Sequence, residues 1–337
     1  MKKKLSMILT SLLLVVSLVG CSGEKKAEAP KEPEVVAKVG ALKGPTSMGM
    51  VKMMKDAKDA KDDKEKGYEF SIANSVDEIV PKIVNKDLDI AAVPSNVASV
   101  LYNKTEGKVD TLAINTLGIL YIVENGNSIK SIDDLKGKVI YSSGKGATPQ
   151  YALDYILKGN GIDPEKDVTV EYKSEHTEAL AALMKDENGI AVLPQPFVTV
   201  AQTKNKNLNV AIDLNEEWDK LNKDSKDKSN MITGVVVVRK EFADKYPEKV
   251  KKFMEEYKKS VEFTNKDVDA AAKLIGEFDI IPEPIAKKAI PHCNITYIDG
   301  ADMKDSLSAY LKVLNDANPK SIGGKMPGED FYYVQKN

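Results

Sequence analysis

Apolar and polar positions follow two alternating periods along the chain from residue 35 onward. Residues 68–72 alternate with a period of two, which predicts a half-buried strand. Residues 75–78 have the sequence of a capping box and predict the start of a helix. An apolar run over 88–93 then predicts another strand. Because strands that alternate with helices form parallel sheets covered on both faces, this pattern predicts an α/β fold.

The same arrangement returns after about one hundred residues, since Ile90–Pro94 is matched by Ile190–Pro194 and Glu78 is matched by Glu178. The order, the spacing and the strand-ending proline agree, which indicates two lobes of one architecture. A single doubly wound sheet is the alternative. The length of the chain and the repeat both favour two lobes.

Two β-branched runs predict where the chain crosses between these lobes. The first run spans 111–123 and contains Asn115 between two strand-like pieces, and the second spans 231–238. We therefore expect two parallel-sheet lobes that are joined by two crossover strands. The expected first lobe comprises 35–116 plus 239–337, and the expected second lobe comprises 117–238.

The N-terminus has the parts of a bacterial lipoprotein signal. Lys2–Lys4 is charged, and the apolar run Leu5–Val19 is shorter than the ~20 residues of a membrane span. Cys21 follows where that run ends. We expect a signal peptide over 1–20, a lipidated Cys21 and, over 21–34, a flexible tether without large apolar residues. A secreted protein with an incidental cysteine is the alternative.

Composition narrows the class of function. The chain has 49 basic and 51 acidic residues and no basic stripe, so we expect no nucleic-acid partner. Two histidines and two cysteines do not supply a zinc site, and we expect neither metal nor cofactor. A calcium site made of carboxylates alone stays open, although no D-x-D-x-D-G loop occurs. Without a G-x-S-x-G elbow, a hydrolase or transferase has little to work with, and we expect no catalysis.

Candidate ligand contacts follow the predicted strands, because open α/β sheets bind ligands at the carboxyl ends of their strands. The glycine-rich segment 142–149 leads into a helix with Thr148 as the expected N-cap, and its spacing is not that of a Walker A loop. The similar loop 44–47 is expected to face it. Backbone N–H groups of such loops suit an anion or a polar ring edge, and an ordinary tight turn is the alternative. The expected ligand contacts are Gly44, Thr46, Ser47, Ser95, Asn96, Asn115, Ser142, Ser143, Gly144, Thr148, Gln195 and Phe197.

A few residues admit a functional and a structural interpretation. Phe197 can stack on a planar ligand. For both Phe197 and Trp218, packing in the core or between lobes is an equally good explanation of the aromatic side chain. We expect His292 at the surface or at a helix end, and Cys293 as a small buried apolar residue. Arg239 is the single arginine, so a bidentate guanidinium clamp on an acid can come only from this residue.

Several segments together resemble the binding proteins of ABC importers for nitrate, taurine and aliphatic sulfonates, and equally the thiamine-precursor binding proteins. Besides the lipoprotein signal, these segments are 43–46, 88–94, 131–138 and 238–242. The Asp-Leu-Lys-Gly-Lys turn within 131–138 marks the wider superfamily and not the ligand. The resemblance covers essentially the whole mature chain. It implies a type II-like periplasmic-binding-protein fold, a cleft that closes on its ligand, and a partner permease and ATPase.

We therefore predict a monomeric solute-binding lipoprotein on the extracytoplasmic face of the membrane, which delivers a small polar or anionic solute to an ABC importer. A bilobal surface sensor is one alternative, and an α/β hydrolase or transferase is a less favoured one. Neutral donors in the candidate loops suit a thiamine-type pyrimidine or a weakly hydrated anion. A free amino acid fits less well, because it usually requires an arginine for its carboxylate and an acid for its amine.

Overall fold

The computed structural model describes residues 35–62, 67–223 and 229–335. The expected signal peptide, Cys21 and the tether lie outside these residues. Within the described ranges, every helix is too short or too polar to cross a bilayer.

Eleven strands in the described residues form two sheets. The strands are β1 (Ala37–Leu42), β2 (Tyr68–Ala73), β3 (Ile90–Pro94), β4 (Val109–Leu117), β5 (Leu120–Asn125), β6 (Val139–Ser143), β7 (Thr169–Lys173), β8 (Ile190–Pro194), β9 (Leu208–Asp213), β10 (Ile232–Arg239) and β11 (Ile295–Ile298). The six-stranded sheet has the order β2-β1-β3-β10-β4-β11, and the five-stranded sheet has the order β7-β6-β8-β5-β9.

Helices cover both sheets. They are α1 (Pro45–Met48), α2 (Val51–Asp59), α3 (Val76–Val84), α4 (Ser95–Lys104), α5 (Thr148–Gly159), α6 (His176–Lys185), α7 (Phe197–Lys204), α8 (Leu214–Asn222), α9 (Lys240–Lys245), α10 (Pro247–Lys266), α11 (Val268–Glu277), α12 (Glu283–Ala289) and α13 (Gly300–Ala317). Short 3₁₀ turns lie at Ile132–Leu135, Ile290–His292, Pro319–Ile322 and Glu329–Phe331.

The two sheets share one plan, which confirms the repeat seen in the sequence. In each sheet a central strand, β1 or β6, pairs in parallel with two neighbours, and a strand next to these runs antiparallel. The strands β3 and β8 occupy equivalent places and both end at a proline. The fold is therefore a bilobal α/β fold of the type II-like kind.

The sheets are mixed, whereas the sequence analysis expected parallel sheets. Strand β10 pairs antiparallel with β3 and β4, and β5 pairs antiparallel with β8 and β9. A βαβ crossover produces parallel neighbours, but β5 and β10 each enter from the other sheet and so run in the opposite direction. Strand β10 (Ile232–Arg239) comes from the run expected to cross between the lobes, and it pairs in the six-stranded sheet. It therefore belongs with the sheet of the expected first lobe and not with the expected second lobe, 117–238.

The C-terminal helix α13 joins the cores of both sheets. Leu307 of this helix belongs to one hydrophobic cluster with Val93 of β3 and Ile140 of β6. Trp218 is fully buried in the same cluster, and its ring lies 5.1 Å from Tyr310 of α13, measured between ring centroids. The structure thus assigns Trp218 to core packing.

Candidate functional site

A cleft of about 510 Å³ opens where strands of both sheets end. In the six-stranded sheet it is lined by Leu42 and Pro94, the last residues of β1 and β3. In the five-stranded sheet it is lined by Ser143, Lys173 and Pro194, the last residues of β6, β7 and β8. The site therefore lies at the carboxyl ends of both sets of parallel strands, where ligands bind in open α/β sheets.

Two equivalent helices begin at the cleft with the same capping arrangement. Before α3, the carboxylate of Glu78 accepts a hydrogen bond from the N–H of Asn74 at 2.9 Å. Before α6, Glu178 accepts one from the N–H of Ser174 at 3.0 Å. No side chain caps the first-turn N–H groups of either helix. Because those N–H groups carry the positive end of the helix dipole, both helix starts favour negative charge in the cleft.

The glycine-rich loop of the second sheet reaches the cleft between these helix starts. Gly144 and Gly146 have φ values of 74° and 76°, a region that glycine adopts without strain. The N-cap of α5 is Ala147, so the expectation that Thr148 is the N-cap is wrong by one residue. The Thr148 hydroxyl donates a hydrogen bond to Oδ1 of Asn96 at 3.3 Å.

The structure brings some of the expected ligand contacts together and separates others. Those that line the cleft are Thr46, Ser143, Gly144, Thr148 and Phe197. Those outside its lining are Gly44, Ser47, Ser95, Asn96, Asn115, Ser142 and Gln195.

Most of the polar residues outside the lining are buried and bonded to nearby protein groups. The hydroxyl of Ser47 donates to the carbonyl of Gly44 at 2.9 Å, and that of Ser95 donates to the carbonyl of Ile232. Oε1 of Gln195 accepts from the hydroxyl of Thr199 at 2.9 Å. Short polar side chains after a strand are well placed to satisfy the backbone of the following turn or helix, and these do so.

His176 is the principal cleft residue that the sequence analysis missed. Its Nδ1 shares a hydrogen bond with the hydroxyl of Ser143, and its ring centroid lies 5.0 Å from that of Phe197. Burial lowers the pKa of His176 to about 4, so the imidazole is neutral at pH 7. It can orient a ligand by hydrogen bonding but brings no positive charge to the cleft.

Further lining residues were also missed, although the repeat carried a signal for some of them. The loop 74–78 before α3 lines the cleft, and the loop 172–176 before α6 lines it from the other side. Aligning Asn74 with Ser174 across the repeat would have identified both loops. Thr116 and Thr233, on the paired strands β4 and β10, also line it, but no local pattern marked them.

Charges in the cleft lining are balanced in number. Three lysines line it, as do three acids: Lys43, Lys145, Lys173, Asp77, Glu78 and Glu175. Lys43 lies 3.7 Å from Asp279, and Lys173 lies 3.0 Å from Glu171.

Arg239 takes no part in the cleft lining. It lies 2.6 Å from Asp89 and donates from Nε to the carbonyl of Leu88 at 2.9 Å. The single arginine therefore forms a structural ion pair and does not form the clamp for an acid considered above.

Two residues outside the cleft match their expectations. His292 is exposed in a 3₁₀ turn, and Cys293 is fully buried. Among the described residues, no group of histidine, cysteine and acidic side chains is placed to hold a metal ion.

Comparison with protein families gives one match. Residues 63–280 match the family described as the periplasmic substrate-binding protein of a phosphonate ABC transporter. This range is more than half of the 337 residues. No curated protein matches the chain.

Solved structures show the same fold at low sequence identity. An ABC transporter protein from Parabacteroides distasonis has a TM-score of 0.71 and 24% identity, over 89% of this chain and 99% of that one. The periplasmic aliphatic sulphonate-binding protein of Escherichia coli has a TM-score of 0.70 and 16% identity, over 90% and 94%. The periplasmic nitrate-binding protein of Synechocystis has a TM-score of 0.60 and 12% identity, over 81% and 76%.

Proposed function

Since this chain belongs to the family of periplasmic substrate-binding proteins of phosphonate ABC transporters, we propose that it is a lipid-anchored, monomeric member that captures a small polar or anionic solute in its cleft. Solute capture and delivery to an importer is the function of the family, whose members are binding proteins and not enzymes. The lipid anchor, the single-chain state and the kind of solute are the proposed refinements.

The observation that carries the proposal is the position of the cleft. Its lining includes the carboxyl ends of β1 and β3 in one sheet and of β6, β7 and β8 in the other. Its volume of about 510 Å³ lies in the range of small-molecule sites. A solute held between the two sheets contacts both at once, so its binding favours a closed arrangement of two lobes.

The N-terminal starts of α3 and α6 favour an anionic group on the solute. Two cleft lysines lie over aromatic rings, with Nζ of Lys145 6.0 Å from the ring centroid of Tyr172 and Nζ of Lys173 5.3 Å from that of Tyr141. The phenol of Tyr172 is protonated at neutral pH and can donate a hydrogen bond, and burial raises its pKa further. A sulfonate, a phosphonate, nitrate or a thiamine-type pyrimidine each offers acceptors for these groups.

A thermal-shift screen followed by X-ray scattering tests the proposal. A solute at a hundredfold excess over its Kd stabilises the fold by about 2.7 kcal/mol. We expect one chemical class among taurine, nitrate, alkylsulfonates, alkylphosphonates and hydroxymethylpyrimidine to do so and to reduce the radius of gyration. Lys145→Ala should weaken binding of an anionic solute, whereas Lys158→Ala, an exposed position outside the cleft, should not. Stabilisation without compaction would contradict lobe closure.

A further inference from the structure

The first crossing between the two sheets is confined to Gly118 and Ile119, which join β4 to β5. The carbonyl of Gly118 accepts a hydrogen bond from Nδ2 of Asn294 at 2.6 Å, directly before β11 of the six-stranded sheet. The next carbonyl, that of Ile119, accepts one from the N–H of Gln195 at 3.0 Å, directly after β8 of the five-stranded sheet. Because consecutive carbonyls are held by different sheets, the backbone torsions of these two residues take up a rotation of one sheet against the other.

The second crossing ends in an equally short transition. Before it, the carbonyl of Ser229 accepts a hydrogen bond at 3.1 Å from Nε1 of Trp218, in helix α8 after β9 of the five-stranded sheet. After it, Ile232 begins β10 in the six-stranded sheet, and its carbonyl accepts a hydrogen bond from the hydroxyl of Ser95 in α4. The change of sheet therefore falls on the two residues between Ser229 and Ile232, of which the second is Met231.

The two crossings pack against each other at Gly118. A Cβ on Gly118 would lie 3.1 Å from Cβ of Met231, 2.7 Å from Cγ of Asn215 and closer still to Oδ1 of Asn215. The φ of Gly118 is not in the left-handed region, so the missing side chain serves this close approach and not the backbone angle. Gly118, Ile119 and Met231 together form the hinge between the lobes.

The side chain of Asn215 is held in place against the hinge. Its Nδ2 donates to Oδ1 of Asp213 at 2.6 Å, and its backbone N–H donates to the same oxygen at 2.8 Å. The amide oxygen is thereby directed at Gly118, where it is buried without a hydrogen-bond partner among the described residues. Asp213 ends β9, so Asn215 moves with the five-stranded sheet, whereas Asn294 ties the carbonyl of Gly118 to the other sheet.

We propose that Asn215 and Gly118 form the stop of the hinge, in which contact of the Asn215 amide with the Gly118 backbone sets the angle between the two lobes. Ile119 and Leu120 line the cleft, so a rotation at Gly118 changes the site directly. The apparent Kd of a solute changes by the same factor as the population of the arrangement that can bind it. The inference rests on the proposed function only for this effect on affinity, because the angle is a property of the chain itself.

X-ray scattering of the solute-free mature protein tests the stop. Gly118→Ala adds a methyl group against the Asn215 amide, and Asn215→Ala removes that amide, so the two variants should shift the radius of gyration in opposite directions. Asn215→Ala creates no clash, so it tests the stop even where Gly118→Ala does not fold. In the double variant the added methyl group occupies space that the amide leaves, and the radius should return towards that of the unmodified protein. Unchanged radii in both folded single variants, or shifts of the same sign, would overturn the stop.

A matched control separates the hinge from an ordinary packing defect. A Cβ on Gly159 would lie 2.5 Å from Cδ1 of Leu221, and both residues belong to helices next to the five-stranded sheet, α5 and α8. Gly159→Ala therefore introduces a comparable clash within one lobe. It should lower the melting temperature but keep the radius of gyration of the unmodified protein. A shifted radius in this control would show that any such clash alters the shape, which would contradict a specific stop.

Solute affinity gives a second readout. Calorimetry uses whichever of taurine, nitrate, ethanesulfonate and ethylphosphonate binds the unmodified protein. We expect the Kd of each single hinge variant to change about fivefold or more, in opposite directions, and that of Gly159→Ala to stay the same. Equal Kd values for all folded variants would contradict the stop. Absence of binding by all four solutes would count against the proposed function, whereas the scattering of solute-free protein would still decide on the stop.

Discussion

The hydroxyl of Thr148 donates a hydrogen bond to the side-chain oxygen of Asn96, 3.3 Å away, and so joins the two halves of the molecule. Thr148 is the first residue of α5, which follows the loop after β6. Asn96 lies in the first turn of α4, which follows β3. The amide of Asn96 also donates to the carbonyls of Gly146 and Ser321. One buried side chain therefore holds the glycine-rich loop, the first sheet and the C-terminal segment together.

Replacing Asn96 should destabilise the fold. Asn96→Ala removes three hydrogen bonds and leaves the carbonyls of the buried Ser321 and of Gly146 without this donor, which we expect to lower the free energy of unfolding by about 2–3 kcal/mol. Urea denaturation measures this change. Asn188→Ala, at an exposed turn, is the control and should stay within about 0.5 kcal/mol of the unmodified protein. Equal stability of the two variants would show that Asn96 does not tie these segments together.

The two glycines of the loop provide a matched pair. A Cβ on Gly144 would lie 3.0 Å from Cγ of Pro149, whereas a Cβ on Gly146 would meet no atom within 4 Å. Both alanine variants should lose about 1 kcal/mol of stability, because both glycines have positive φ. Only Gly144→Ala should also weaken solute binding, since it pushes against the first turn of α5 at the cleft. Calorimetry with a solute from the screen checks the difference, and equal affinities would contradict it.

His176 should make stability depend on pH. Its folded-state pKa of about 4 lies below the ordinary value of 6.5, so the unfolded chain binds more protons between these values. The histidine contribution to stability is therefore complete above pH 6.5 and is lost as the pH falls towards 4. We expect a loss on the order of 2 kcal/mol, after allowance for the partial exposure of the side chain.

Chemical denaturation of His176→Gln between pH 4 and 7 measures this term. The variant should lack that part of the pH dependence, while His292→Gln, the other histidine, should keep the profile of the unmodified protein. Asp110 acts in the opposite direction, because burial raises its pKa to about 6 and so adds stability as the pH falls from 6 to about 4. Asp110 is present in all three proteins, so the difference between variants isolates His176. Parallel profiles for all three would refute the assignment.

Arg239 should matter for stability and not for binding. Its side chain is 14% exposed and that of its partner Asp89 is 13% exposed, so Arg239→Gln leaves a largely buried carboxylate without its cation. We expect the variant to lose about 2–3 kcal/mol of unfolding free energy. Its solute affinity below the melting transition should equal that of the unmodified protein. A large loss of affinity in a folded variant would contradict the structural role.

We predict that membrane anchoring depends on Cys21, which lies outside the described residues. Cys21→Ala should release the protein into the medium or leave it as an unprocessed precursor, because two acyl chains are needed for stable anchoring. Cell fractionation and the apparent mass on a gel distinguish these outcomes. Cys293→Ala changes the other cysteine and should leave the protein on the membrane. A processed Cys21→Ala protein that stays on the membrane would exclude this anchor.

The features that depend on local pattern could be predicted from the amino-acid sequence alone. The period of apolar residues predicted strands that alternate with helices, and the repeat of Ile90–Pro94 at Ile190–Pro194 predicted two sheets of one plan. Both follow from the chain alone, because a strand or helix needs its apolar face in a fixed period wherever it packs. The same reasoning predicted that a site would lie at the strand ends, where Thr46, Ser143 and Thr148 line the cleft.

The sheet that receives β10 and the polar side chains that face the cleft depend on long-range contacts, so they could be identified only in the folded protein. The valine run of β10 suits either sheet, and its pairing depends on partners more than one hundred residues away. Asn96, which was expected to contact the ligand, and His176, which no sequence pattern marked, show the same dependence on tertiary contacts. The amide of Asn96 is taken by Gly146 and Ser321, whereas His176 reaches the cleft beside Ser143. A short polar side chain bonds to whichever backbone group folding brings within about 3 Å, and no local sequence pattern specifies that neighbour.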